Sequence, residues 1–492
     1  MREGAEPATR SPGRIAESVR GVRLTTLWVV AAIAVPTAVA TSIPLSAVDL
    51  AYQIRAGIFM LDAGQILRED VFTSSAIGLP WLNQQWGAQI VLGGLFEIEG
   101  WFALAVLRVA SVALVTGMLY ASCRNAGASR RWSAGLTLAG GIMLAGGFFV
   151  RAQLFGVLCF AATQWLLSRR GRHPLGVWWA LPIVVLWANT HGSFFLAPVL
   201  FAIAWAEDRG RGRRPDRRLL VAGLATIPLA LLNPFGVGVW RYVVDITTDP
   251  GIRTGVIEWR PPTVETVAGA IFFASAIAVA LYVGAHRAAF RWPALVGLGF
   301  FFVVGSLSIR GTLWWAMAAP VLFSTSKPGA APGSERADPR GTVNAALAGI
   351  LCLIAIAPLI RWLPYRGDAV GQELLTLAPM GITRSLHEVL EPGQPFFNAQ
   401  QWGSWFELAL PDNPVFTDSR FELIPERAWD DDDDVSTARE GWQAIVDRRG
   451  FDVLAVARNQ QEFLLRALEG DPAWTLVYED ADGAVYVRAG PG

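Results

Sequence analysis

Apolar runs separated by short polar stretches fill most of the chain up to about residue 361. The first, 24–45, holds the roughly 20 residues that a bilayer-crossing helix needs, even with Pro36 inside it. Further spans are expected at about 101–123, 132–150, 152–168, 174–190, 192–206, 218–235, 264–284, 292–308, 311–323 and 341–361. That makes about 11 crossings by length, several of them short enough to be tilted or partly re-entrant. Between the first two spans, 49–100 forms a long first outer loop, where Ile54, Ile58 and Leu61 recur at helical spacing. Within it, 88–96 is too short to cross and reads as a helix on the outer membrane surface.

Beyond residue 362 the pattern changes to short elements. Strands are expected at 396–398, 415–417 and 452–457, amphipathic helices at 437–449 and 460–468, and a hairpin over 474–487 turning at Asp482-Gly483. Three parts follow: a disordered tail over 1–23, an α-helical polytopic membrane domain over 24–361, and a small α/β domain over 362–492.

Charge orients this arrangement. The tail and the alternate loops at 124–131, 169–172, 209–218, 287–291 and 327–340 hold about 22 Lys and Arg, against about 7 in the opposite set of short loops. The N-terminus is therefore expected in the cytoplasm and the C-terminal domain outside it, in a multi-pass protein of the plasma membrane. The Gly, Pro and Ser-rich stretch KPGAAPGSERADPRG reads as a cytoplasmic linker. The triplet Ala38-Val39-Ala40 resembles a signal-peptidase site, but the apolar run continues past it, so a retained signal anchor is expected.

Composition agrees with a membrane protein: 53% of the 492 residues are hydrophobic and 21 are Trp. A formal net charge of zero provides no basic field for nucleic acid. The three cysteines, Cys123, Cys159 and Cys352, fall in or at the ends of apolar runs and suggest neither a disulfide framework nor a metal site.

The ionisable residues expected on the outer face are few: Asp49, Asp62, Glu69, Asp70, Arg151, His191, Asp245, Asp249, Glu258, Arg260 and Arg310. Such groups are costly at the edge of hydrocarbon, and their gathering on one face points to a shared site, although any one of them alone would sit well in headgroup water. Arg151 and Arg310 each lie between two apolar segments with almost no loop, where guanidinium groups can hold a phosphate at headgroup depth. In Glu258-Trp259-Arg260 a ring beside an acid and a base suits stacking on a sugar, and equally suits an interfacial anchor. His191 is more often a packed hydrogen-bonding residue than a ligand. No cofactor is implied; a divalent cation held by Asp49, Asp70 and His191 stays open, without support from their spacing. The run Asp430 to Asp434 reads as a solvated loop.

The ordered set DLAYQIRAG, REDVFTSSAIGLPWLNQQW, WANTHGSF, LNPFG, IEWRPP, NAQQWGSWF and VFTDSRFEL, with an outward Asp directly after the first span, resembles the GT-C membrane glycosyltransferases. These include protein mannosyltransferases and bacterial enzymes that glycosylate lipids and cell-wall glycans, and a bacterial glycosyltransferase-like subgroup is the narrower resemblance. It implies transfer of a sugar from a polyprenyl-phosphate donor to an outer-face acceptor, whether glycan, lipid or protein, with membrane lipids around the site. It also implies that Asp49 is the base and Asp70 the second acid, as an assistant or a metal ligand. The family's paired acids after the first span are absent, because Leu50 follows Asp49. A transporter or flippase of a lipid-linked glycan, and a non-catalytic envelope assembly protein, are the rival readings. A flippase would more naturally show matching halves, which the sequence lacks.

Overall fold

The computed structural model describes residues 22–145, 147–214, 216–248, 256–326 and 340–490. All but the last two residues of the expected tail, and nearly all of the expected 327–341 linker, lie outside the described residues.

The apolar runs are helices. α1 (Leu24–Ser42) is followed by the amphipathic α2 (Ala47–Ala63), then by the long α3 (Trp86–Ala126). α4 (Arg130–Ala145), α5 (Ala152–Ser168), α6 (Ala180–Thr190), α7 (Leu196–Gly210) and α8 (Arg217–Leu229) continue the bundle. The short α9 (Gly238–Thr248) precedes α10 (Val267–Ala285), α11 (Trp292–Leu307), α12 (Thr312–Ser324) and α13 (Gly341–Ile356). By length and composition, four helical stretches among the described residues can cross a membrane: Leu24–Ser42, Trp86–Ala126, Val267–Ala285 and Gly341–Trp362. The others are shorter, and six of them form consecutive pairs: α4 and α5, α6 and α7, and α11 and α12.

How these pairs are joined matters for the site. α4 gives way to α5 at Arg151 (φ −162°, ψ 176°), α6 to the turn before α7 at His191 (φ −161°, ψ 139°), and α11 to the turn before α12 at Ser308 (φ −156°, ψ 152°). A residue in this extended conformation ends a helix abruptly, and a polar group at the break can satisfy backbone donors that the helix leaves open. His191 and Ser308 do so, accepting from the amides of Ser193 and Gly311.

Inside hydrocarbon, helices are held by close packing more than by exclusion of water, so small residues decide where they touch. A Cβ on Gly140 would stand 2.7 Å from the Ala316 carbonyl oxygen, and one on Gly141 would stand 2.5 Å from the Pro36 ring. The first places α4 against α12, the second against α1. Large aromatic side chains fill the space between: Phe160 packs within 5.2 Å of Trp314 and 6.2 Å of Trp187, centroid to centroid.

The first outer segment has its own architecture. α2 and the first part of α3 meet at Gly57, where a Cβ would lie 2.0 Å from the Gln89 carbonyl oxygen. α3 breaks at Gly100 (φ 55°, ψ −141°), which separates the expected surface helix from the expected second span. Only glycine adopts this backbone readily, and a Cβ there would also strike the Gly367 carbonyl oxygen at 2.4 Å.

Past residue 362 the chain forms a four-stranded sheet in the order β3 (Phe397–Asn398), β4 (Val453–Ala457), β6 (Gly483–Arg488), β5 (Trp474–Glu479). β3 and β4 are parallel; β4, β6 and β5 pair antiparallel, the last two as a hairpin. Helices α14 (Met380–Val389), α15 (Gln400–Ala409), α16 (Glu426–Ser436), α17 (Trp442–Arg449) and α18 (Glu462–Leu468) surround the sheet.

Three local expectations need correction. Residues 415–417 are no strand, since Val415 makes only isolated bridges to Thr73 and Phe396. The helix expected from 437 begins at Trp442, because Ala438 (φ 50°) and Gly441 (φ 88°) turn the chain before it. The acidic run is helical, not a loop: it lies in α16, where Asp431 is buried and bonded to Arg448 and Arg449. These arginines, together with the amphipathic placement of Ala428 and Val435, offset the repulsion that led to a loop reading.

The division at 362 is not a division of the core. Leu45, Leu50, Ile54 and Trp101 share one buried cluster with Trp402, Trp405, Phe406 and Val485. A short parallel pair, β1 (Leu45–Ser46) with β2 (Leu375–Thr376), ties the two regions through the backbone as well.

Candidate active site

Asp49 sits in the first turn of α2, where a carboxylate is favoured by the helix dipole. It opens onto a cavity of about 780 Å³ at the end of the bundle. The helix breaks supply much of the remaining wall: Arg151 and Gln153, His191 and Ser193, and Ser308 and Arg310 all line it. Tyr242 of α9, Glu258, Trp259 and the segment Ser419, Arg420, Phe421 and Glu422 complete the polar part. Apolar side chains line it as well: Val243, Ile246, Phe300, Val304, Leu307 and Trp314.

A chain of ion pairs crosses the polar part. Arg151 donates to Asp49 Oδ2 at 2.5 Å, to both oxygens of Glu258 at 2.8 Å and to Gln153 Oε1 at 2.7 Å. Arg310 donates from Nε to Glu258 Oε2 at 2.5 Å and lies with its guanidinium carbon 5.3 Å from the centre of the Trp259 ring. Gln53 Oε1 accepts from the Ala152 amide at 2.8 Å, which fixes α2 against the break that carries Arg151. Two acids and two arginines thus alternate, and Arg151 keeps a buried Nε–H without a partner among the described residues.

The charges perturb one another in known directions. Burial alone would push Glu258 up, but Arg310 and Arg151 outweigh it and hold the carboxyl down at about 2. Arg151 is raised, since Glu258 and Asp49 more than offset its desolvation. His191 is held down at about 3 by burial and by Arg310 and Arg151. It is therefore neutral, and its tautomer follows from its partners. The Ser193 amide donates to Nδ1 at 3.1 Å, and Ser193 Oγ, itself accepting from Trp187 Nε1 at 2.9 Å, lies 2.7 Å from the same nitrogen. Nδ1 is the acceptor, so Nε2 carries the proton and presents a donor. Gly156 makes room for this ring: a Cβ there would lie 2.8 Å from His191 Nδ1.

Of the sequence candidates, Asp49, Arg151, His191, Glu258, Trp259 and Arg310 come together here. Two do not. Arg260 is exposed and is absent from the cavity lining, and its carbonyl accepts from the Ile309 amide, which steadies the Arg310 turn through the backbone. Asp70 is fully buried away from the cavity. Its Oδ2 accepts from the Thr73 amide and hydroxyl, and its Oδ1 accepts from Arg420 at 2.7 Å. Arg420 also binds Asp418 at 2.5 Å and Glu407 at 2.9 Å, and lies over Trp81 at 4.8 Å. Burial, with the negative charges of Asp418 and Asp70 nearby, holds Glu407 well above the usual carboxylate range, despite Arg420. Asp70 thus belongs to the support of the loop 418–422 and not to the reacting surface.

The metal set Asp49, Asp70 and His191 fails for the same reason. Among the described residues no three His, Cys, Asp or Glu side chains converge as ligands. Arg151 already holds Asp49 Oδ2, and the His191 nitrogen with a free pair is engaged by Ser193.

Two wall residues gave no signal in the sequence, Gln153 and Tyr242, while Gln53 and Gln84 lay inside the quoted motifs DLAYQIRAG and REDVFTSSAIGLPWLNQQW with no role assigned to them. Arg420 and Glu422 lay within the quoted motif VFTDSRFEL, about 370 residues from Asp49, a separation that periodicity does not bridge.

No protein-family model matches the chain, and no curated protein matches it in sequence. Solved structures do match in fold. The archaeal oligosaccharyltransferase AglB from Archaeoglobus fulgidus, in complex with an inhibitory peptide and a dolichol-phosphate, is similar with a TM-score of 0.56 at 12% identity, over 94% of this chain and 74% of that one. ArnT from Cupriavidus metallidurans bound to undecaprenyl phosphate gives 0.52 at 14% identity, over 95% and 99%. The arabinofuranosyltransferase AftD from Mycobacteria gives 0.53 at 16% identity, over 94% of this chain and 41% of that one. All are GT-C glycosyltransferases, so nearly the whole chain has the GT-C fold.

Proposed function

We propose, from the GT-C fold and the charged cavity together, that the chain is a membrane glycosyltransferase that moves a sugar from a polyprenyl-phosphate donor to an acceptor on the outer face. The observation that carries this reading is the Asp49, Arg151, Glu258, Arg310 chain in a cavity also lined by Val243, Ile246, Phe300, Val304 and Leu307. Two guanidinium groups beside hydrocarbon-like lining suit a phosphate with a lipid tail. AglB and ArnT are seen with dolichol-phosphate and undecaprenyl phosphate, which supports the same donor class.

In the reaction, an acceptor hydroxyl oxygen attacks the anomeric carbon while the bond from that carbon to the phosphate oxygen breaks. The hydroxyl proton goes to Asp49, and the electron pair leaves with the lipid phosphate, which Arg310 and Arg151 stabilise. A phosphate needs little protonation to leave, so one base and cationic donors suffice. His191 Nε2–H offers a further neutral donor, and Trp259 a face for the sugar. Glu258 holds the arginines until the phosphate takes its place.

The alternation of basic loops supports an orientation with this cavity, Asp49 and residues 362–492 on the outer face of the plasma membrane. A reporter fused at the C-terminus should behave as exported; cytoplasmic activity there would remove the orientation. For the chemistry, Asp49→Asn keeps size and most hydrogen bonding but removes the base. Transfer of labelled sugar from a polyprenyl-phosphate donor should fall by on the order of 100-fold or more at unchanged protein yield. Near-normal turnover in Asp49→Asn would end the assignment.

A further inference from the structure

A second cavity, of about 1220 Å³, adjoins the first through the shared lining residues Tyr242, Ile246, Gln400, Phe421 and Glu422. The two differ in charge. The first has Arg151, Arg310 and Arg420 in its wall. The second is lined by Asp245, Glu422, Glu426, Asp432 and Asp433, with no Lys, Arg or His among the described residues. Some of these carboxylates are steadied from behind: Asp245 by Arg241 at 3.4 Å, Asp433 by Arg439 at 2.8 Å, and Asp432 by the Thr417 hydroxyl at 3.0 Å.

The acids do not stand alone. Phe421 and Trp429 form a stacked pair, centroids 4.4 Å apart and planes within 12°, in the same wall, with Trp81 beside them. Gln400, Gln460, Gln461 and Ser436 add uncharged polar groups. At the neighbouring wall Gln84 is only 2% exposed, and its Oε1 has no hydrogen-bond partner among the described residues. A buried amide oxygen with no donor is costly, and a ligand hydroxyl relieves that cost.

We propose that this second cavity is the acceptor subsite, and that it takes an uncharged glycan chain rather than a phosphorylated or otherwise anionic acceptor. The proposal rests on the transferase reading above and adds what is glycosylated. Sugars present hydroxyl donors on their edges and C–H groups on their faces; carboxylate and amide oxygens accept the former, and aromatic rings pack on the latter. A lining rich in acceptors and without a cationic side chain offers a phosphate no partner, whereas the first cavity offers arginines, so the donor's leaving group is kept to the first and the acceptor to the second. The acceptor then reaches Asp49 past Tyr242 and Glu422, which border both spaces.

The test uses the full chain in lipid nanodiscs and two probes: a set of neutral tetrasaccharides of hexoses or pentoses with their terminally phosphorylated counterparts, and undecaprenyl phosphate. At least one neutral tetrasaccharide should bind saturably, with its phosphorylated counterpart at least tenfold weaker. Trp429→Leu should weaken that binding by about tenfold and leave undecaprenyl phosphate binding unchanged, while Arg310→Ala should do the reverse. Equal or tighter binding of the phosphorylated saccharide, or binding indifferent to Trp429, overturns the proposal. So does the absence of saturable binding across the neutral set while undecaprenyl phosphate still binds, an outcome that leaves the donor reading standing. Saccharide binding without undecaprenyl phosphate binding would sustain the acceptor site and count against the donor instead.

Discussion

Arg310 and Arg151 grip the same carboxylate: Glu258 lies 52 residues from the first and 107 from the second, and meets them at 2.5 and 2.8 Å. Glu258 supplies the anion that two guanidinium groups require at this depth.

If Glu258 holds the place of a phosphate, removing its charge should help the phosphate. Glu258→Gln is expected to tighten undecaprenyl phosphate binding by about tenfold, whereas Arg310→Ala and Arg151→Ala weaken it by at least as much. A Glu258→Gln variant that binds as poorly as the arginine variants would make the glutamate a positioning residue and dismiss the competition.

Acid should loosen the same network. Glu258 has its folded pKa lowered to about 2 from an ordinary 4.5, so its contribution to stability is present above pH 4.5 and is lost as pH falls toward 2. Thermal unfolding in detergent between pH 5 and 3 should show a smaller acid-induced loss in Glu258→Gln than in the parent chain. An identical loss in both would mean that the pairing does not stabilise the fold.

His191 predicts a missing feature in the rate profile. Held at about 3, it stays neutral across the working range, so activity should show no step near 6.5 that disappears in His191→Asn. In the unfolded chain it does titrate near 6.5; stability is therefore full above that pH and falls by about 1.4 kcal/mol per pH unit as pH drops from 6.5 toward 3. His191→Asn should lack this slope.

Arg420 is the structural counterpart. Its removal leaves Asp70, Asp418 and Glu407 buried around an empty centre, and losing one member of a buried ion cluster costs about 3–5 kcal/mol. Arg420→Ala should express poorly or unfold early. Arg420→Lys should not restore stability, because a point charge cannot serve three carboxylates in a fork. Normal unfolding of Arg420→Lys would show that net charge alone is needed.

The apolar runs made the bundle legible in the sequence, since membrane-length hydrophobicity is a strong local signal: the helices 24–42, 152–168 and 341–356 lie where the runs lie. Arg151 and Arg310 stood out as polar residues at near-loopless junctions, whereas His191 read as a packed hydrogen-bonding residue; all three lie at or within two residues of an extended helix break and line one cavity. Asp70 misled because an acid beside a membrane reads the same whether it faces a substrate or a buried arginine 350 residues away. Nothing local announces that partner. The acidic run of α16 misled for a related reason: its compensating cations, Arg448 and Arg449, belong to α17. Gln53 and Gln84 lay inside the quoted motifs but drew no role of their own, because amides have no charge pattern to detect.

The ion cluster around Arg420 sets an order on biogenesis. Asp70 is separated from Arg420 by 350 residues, so at roughly 5–20 residues per second the ribosome delivers the arginine about 20 to 70 seconds after the aspartate. Through that interval the first outer segment has its acid without its counter-charge, and the loop 418–422 that walls the cavity has not been made. The cavity wall can therefore close only after residue 422 has been made, which makes its assembly a late event in synthesis.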